Sequence, residues 1–152
     1  MRFLLPEDRS QLTATKDPKA RVRLTITLTE ARLARMEQLT AEKSFPEASE
    51  ALGNYLALIE DAMQFVGGMT KDKNSTRDLY RRLDIALRAQ IPRLAVMRRD
   101  TPAEYSVHLK AAEEFVRSTR SDALDSFYGH TVLRDPPNSN ANISSPENKR
   151  PQ

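Results

Sequence analysis

Apolar and polar positions change period along this chain, and the changes divide it into regions. Over residues 21–29 the period is two: Val22, Leu24, Ile26 and Leu28 alternate with Arg21, Arg23, Thr25, Thr27 and Thr29. Such alternation predicts a β-strand with one buried face and one polar face. Thr29 then stands where a helix N-cap should, with Glu30 in the first turn. Leu33, Met36, Leu39 and Thr40 share one face of the helix predicted over residues 30 to about 42. After a break at 43–46, Ser44 and Glu47 have the spacing of a capping box, with Pro46 in the first turn. The helix they open carries Ala48, Leu52, Tyr55, Leu56, Ile59, Ala62 and Met63 on one stripe and stops at Gly67-Gly68.

The second half is helical by the same criteria. Asn74 or Ser75 caps a helix holding Leu79, Leu83 and Leu87, expected to end near Ile91 because Pro92 disfavours helix in the residue before it. Residues 93–99 read as a further turn or two. Thr101-Pro102-Ala103-Glu104 is a start signal, and the helix it opens carries Leu109, Ala112, Phe115 and Val116. A last short helix is expected over 122–128, stopping at Gly129. Residues 1–19 lack a sustained period and read as a flexible arm, and 131–152 have the composition of a disordered tail. The organisation expected is therefore an arm (1–19), a strand–helix–helix unit (20–66), a helical region (70–130) and a tail.

A single strand has no partner within the chain, and a lone strand leaves its backbone N–H and C=O groups unmatched. Two copies pairing their strands antiparallel about a two-fold axis would satisfy them, so a homodimer is expected. The order strand, helix, helix over residues 20–64, and the run Arg23-Leu24-Thr25-Ile26-Thr27-Leu28-Thr29-Glu30, resemble the ribbon–helix–helix DNA-binding family of CopG and Arc type. The resemblance implies a mainly α fold with one intersubunit β-ribbon, followed here by an additional C-terminal helical region. It implies double-stranded DNA as partner, a palindromic operator bound by a dimer or a pair of dimers. Arg23, Thr25 and Thr27 would be the base-reading side chains, and Arg21, Lys43 and Ser44 the phosphate contacts. The chemistry suits these roles, since Arg can donate two hydrogen bonds to guanine and Thr can meet base edges or a thymine methyl. Two residues depart from the family's phosphate clamp: Pro46 removes an N–H donor and Glu47 adds a negative charge. Ser44 either clamps a phosphate or only caps its helix.

Charge modifies this picture through its distribution. The net charge is +3, but residues 1–35 carry eight Lys/Arg against four Asp/Glu and residues 71–99 nine against three. Between them, residues 36–70 carry one against six. Two basic blocks can draw a polyanion to one surface, and equally can be solvated faces. Arg2, Arg9, Lys16 and Lys19 of the arm either lie along a DNA backbone or solubilise a tail. Arg77, Arg81 and Arg88 offer a second DNA contact or ordinary salt bridges with Asp78 and Asp84.

Catalytic chemistry finds little footing. The chain has no cysteine and only two histidines, His108 and His130, which are not in a metal-ligand spacing. Glu113 and Glu114 are adjacent and point to different sides of a helix. No cofactor, metal or enzymatic activity is expected. Neither a signal peptide nor a membrane-length apolar run occurs, so a cytoplasmic location is expected. The functional expectation is a sequence-specific repressor or autoregulator. Two alternatives use the same ribbon: a relaxosome or partition accessory protein of a mobile element, and an antitoxin. In both, residues 70–130 offer the surface for a protein partner.

Overall fold

A computed structural model describes residues 2–69 and 74–132. Among the described residues five helices follow one another: α1 (Pro6–Ala14), α2 (Pro18–Ala41), α3 (Phe45–Gly67), α4 (Asn74–Arg99) and α5 (Ala103–Val132). Among the described residues there is no strand, and this overturns the expected ribbon–helix–helix dimer. Residues 21–29 lie inside α2. The helix starts earlier than expected because Asp17 caps it, accepting a 2.9 Å hydrogen bond from the Ala20 N–H, with Pro18 at the first position.

Helical geometry also explains the period of two. Residues two apart on a helix are separated by about 200°, so the alternation distributes aliphatics to two opposite sides. Val22 and Ile26 pack with Leu79, Leu83 and Ala62, while Leu24 and Leu28 are half-buried on the other side. The inward face is completed by threonines, Thr25 and Thr29, followed by Leu33, Met36 and Leu39.

The α2–α3 turn is a Schellman motif. Ser44 N–H donates to the Leu39 carbonyl (2.8 Å), Lys43 N–H donates to that of Thr40 (3.0 Å), and Lys43 takes the left-handed conformation with φ 62°. Ser44 precedes α3 without a side-chain capping bond, so the expected capping box does not form.

The molecule is two antiparallel helix pairs, α2–α3 and α4–α5, packed so that α2 runs beside α4 and α3 beside α5. One apolar cluster joins Leu33, Met36, Tyr55 and Ile59 to Leu87, Leu94, Met97 and Val116, and a second joins Val22 and Val66 to Leu79 and Ala123. Both clusters draw on both pairs. Complete burial of one such aliphatic side chain contributes about 1.5–3 kcal/mol.

The N-terminal segment, expected as a flexible arm, closes over α2, α3 and α5. Leu12 and Asp8 are buried, Asp8 meets Arg32 at 2.6 Å, and the Phe3 carbonyl accepts from Asn54 at 3.0 Å. Arg2 pairs with Glu60 and lies 4.3 Å from the Phe115 ring centroid.

Two expected breaks are absent. α4 continues through Pro92, which is exposed, so the Arg88 carbonyl left without its helical donor sits near water. Burial of Leu87, Gln90 and Leu94 on the opposite side holds the helix together. α5 runs unbroken past Gly129, its stripe of Leu109, Ala112, Val116 and Ala123 bridging the expected interruption. The expected tail, from residue 133 on, lies outside the described residues.

Candidate interaction face

The six expected DNA contacts are not assembled into a surface. On α2, Arg23 and Thr27 are exposed but Thr25 is 2% exposed and turned into the core. Three alternate residues that would share a strand face are spread around a helix, so the base-reading trio is withdrawn with the strand. Arg21 is half-buried, 3.3 Å from Asp61 and 4.2 Å from the Phe65 ring centroid. Lys43 and Ser44 lie at the far end of α2, about 30 Å from Arg23 at ~1.5 Å per residue. Lys43 is exposed, and the position it holds is dictated by the turn.

What the structure does bring together is the outer face of α4. Ile85, Ala89, Pro92 and Val96 are spaced by four, three and four residues, the spacing of a coiled-coil seam. Ile85 and Val96 are each 52% exposed, two of the largest apolar side chains left in water. The stripe spans about 16 Å of helix.

Its two edges differ in charge. On the α5 side stand Arg81, Arg88 and Arg99, seven and eleven residues apart. Arg81 and Arg99 are exposed and meet no carboxylate among the described residues, whereas Arg88 binds the buried Asp84 at 2.9 Å. On the α2 side stand Asp78, Glu30, Glu37 and Asp100. Asp78 is paired with Arg82 at 3.0 Å, and Arg93 bridges Glu30 and Glu37 at 2.7 Å each. Asp100 is exposed and without a partner cation among the described residues. Lys19 of α2 begins this same side, beside Asp78, and Arg23 follows one turn on.

Buried polar contacts hold α4 in this position. The Tyr55 hydroxyl donates to Gln90 Oε1 at 2.7 Å, and Gln90 Nε2 donates to Thr29 Oγ1 and Glu30 Oε2 at 3.0 Å each. Thr29 Oγ1 in turn donates to the Ile26 carbonyl at 2.8 Å. Burial, reinforced by the Glu30 charge, pushes the Tyr55 phenol well above its ordinary range, so it remains a donor. The hydrogen bonds from Arg93 hold the Glu37 carboxyl below its ordinary range, and the same contacts raise Arg93.

On the other flank α5 is tied by two buried carboxylates. Asp84 forms an ion pair with Arg120 of α5, 2.8 Å apart but not aligned as a hydrogen bond, and Glu113 of α5 pairs with Arg98 and, at 3.7 Å, with Arg117. The Glu113 hydrogen bond raises Arg98. Glu113, weighed from sequence with Glu114 as a carboxylate pair, is therefore committed to arginines, while Glu114 is exposed.

Three clefts of about 340–560 Å³ are open surface grooves, one of them between α2 and α4 and lined by Glu37, Lys43, Val96 and Asp100. A cleft lined by Met36, Phe45, Leu52, Met97 and Tyr105 encloses about 10 Å³, space for roughly one water. Phe45 and Tyr105 stack across it, ring centroids 5.9 Å apart. Among the described residues no group of His, Asp and Glu could hold a metal ion, and no helix is long and apolar enough to cross a membrane.

No protein-family model, no curated protein and no solved structure matches this chain. The α4 stripe was legible in principle: Ile85, Ala89, Pro92 and Val96 repeat at heptad spacing opposite Leu79, Leu83 and Leu87. Ending the helix at Ile91 cut that repeat in two and hid it.

Proposed function

We propose that this chain is a helical-bundle assembly module that works by binding another protein surface on the outer face of α4, not by catalysis. The observation that carries this is the continuous exposed stripe from Ile85 to Val96, flanked by a basic edge on one side and a mixed, largely ion-paired edge on the other. An apolar stripe rimmed by polar residues is how an interaction face differs from scattered surface aliphatics. The reading retains the partner surface expected within residues 70–130 and drops the ribbon. A photo-crosslinking residue placed at Val96 is expected to give a discrete adduct in living cells, and one at Ser118, exposed on α5, is not. Absence of any adduct at Val96 and at Ile85 would remove the reading.

A second reading, nucleic acid held where α2 begins, is favoured by one observation. Lys16, Lys19 and Arg23 are exposed there and pair with no carboxylate among the described residues. Three such cations predict weak, sequence-independent binding whose logarithm falls with log salt by about 0.9 per phosphate contact on a duplex. Fluorescence anisotropy against duplex DNA at low salt tests it; no binding there, or a salt dependence unchanged in the Lys16→Glu/Lys19→Glu/Arg23→Glu variant, rules it out.

A further inference from the structure

We infer that the occupant of the α4 face is a second copy of the same chain, with the two α4 helices running parallel about a two-fold axis. The inference rests on the assembly reading of that face and goes further by naming the partner and its orientation. Charge decides between the two orientations. In a parallel pair each edge of one helix meets the opposite edge of the other, whereas in an antiparallel pair like edges meet. The α5-side edge of α4 is basic (Arg81, Arg88, Arg99), whereas on the α2-side edge Asp78, Glu30 and Glu37 are already paired with Arg82 and Arg93 and Asp100 is the carboxylate left over. Antiparallel pairing would set Arg81 against Arg99 of the second copy. Parallel pairing sets Arg99 against Asp100 of the second copy, twice by symmetry, and both residues are exposed and otherwise unpaired among the described residues.

The rest of the face is compatible with this orientation. In the middle of the face the charges are already paired within each copy, Arg88 with Asp84 and Glu30 and Glu37 with Arg93, and add little attraction. Arg81 faces an Asp78 already shared with Arg82, near Lys19, so the N-terminal half contributes less charge attraction than the C-terminal half. Along the seam, Ile85, Ala89, Pro92 and Val96 each meet their own equivalents. The small Ala89 in the middle lets the backbones approach beside Pro92.

Because the chain has no cysteine, single-cysteine variants report the geometry directly. Sedimentation equilibrium of the full chain is expected to show a monomer–dimer equilibrium. Val96→Cys alone, and Ile85→Cys alone, are each expected to oxidise to a disulfide-linked dimer. In an antiparallel pair the two thiols of the Val96→Cys variant would lie about 16 Å apart, and only a mixture of the two variants would cross-link. Arg99→Asp is expected to raise the dimer dissociation constant about tenfold, two ion pairs being converted to repulsions. Arg99→Asp/Asp100→Arg is expected to restore it, which a merely structural effect of the substitution would not do. A chain that is monomeric at all accessible concentrations overturns the inference, as does cross-linking only in the mixture. If Val96 nonetheless gives a photo-adduct whose mass is not twice that of the chain, the second copy is excluded while the assembly face stands.

Discussion

α3 and α4 differ in how completely the chain covers them, and the difference separates what holds this molecule together from what it presents. Every residue from Ala51 to Ile59 in α3 is buried, including Gly53 and Asn54. The helix is enclosed by α2, by α5 and by the N-terminal segment, whose Phe3 carbonyl satisfies Asn54. α4 is as long and as well anchored on its inner side, with Leu79, Leu83, Leu87 and Leu94 in the core. Its outer side is left open with a second apolar line. A helix apolar all round belongs inside. A helix with two apolar lines on opposite sides belongs at a boundary, and only one of its lines is needed for folding.

The sharpest way to test that contrast is to truncate one residue of each kind. Leu58 of α3 is 0% exposed, so Leu58→Ala is expected to cost about 2–5 kcal/mol in urea unfolding. Ile85→Ala on the outer line, measured in protein dilute enough to be monomeric, is expected to stay within about 0.5 kcal/mol. Comparable losses at the two sites would erase the distinction.

The next effect concerns the link between the regions. Gln90 is 0% exposed and serves Tyr55, Thr29 and Glu30 at once. Gln90→Leu leaves the Tyr55 hydroxyl and Thr29 without it and is expected to cost about 1–3 kcal/mol. Adding Tyr55→Phe to that variant should return part of the loss, because it removes the orphaned donor; strictly additive losses would show that the three groups do not act together.

The smallest effect is on the surface and depends on pH. Glu37 has its carboxyl lowered below 4.5 by Arg93. A lowered carboxyl contributes stability that is present above its unfolded value and lost as pH falls through the folded one. Stability from this contact is thus full at neutral pH and disappears below about pH 4.5. With the Glu37 side chain 40% exposed, the whole effect is expected to stay under about 1 kcal/mol. Glu37→Gln should flatten the acid limb of the urea midpoint against pH by that amount and leave α3 substitutions unaffected.

Much of the helical half was readable because its punctuation is local. α3 ends at Gly67-Gly68, although Gly68 keeps a right-handed φ of −83°, and Thr101-Pro102 precedes α5. The strand was misread because alternation of Val22, Leu24, Ile26 and Leu28 describes a strand face and two flanks of a doubly covered helix equally well. The deciding signal, Asp17-Pro18, stood just outside the alternating run. Pro92 misled in the opposite direction: proline stops a helix less effectively when its ring faces water and both neighbouring turns are pinned in a core. The base-reading trio followed the strand and fell with it, since Thr25 cannot be both core and reader. Gln90 was invisible for another reason, as nothing in a lone polar letter tells that three partners from two other helices will converge on it.

That convergence has a mechanical consequence. Apolar ridges can slip past one another by a turn and find nearly equivalent grooves. The amide of Gln90 has no second position along α2 and α3 where a phenol and a hydroxyl wait at the same separation. The joint between the two helix pairs is therefore keyed: under shear along α2 and α4 it has no partly slid resting place, and it holds its alignment until it parts.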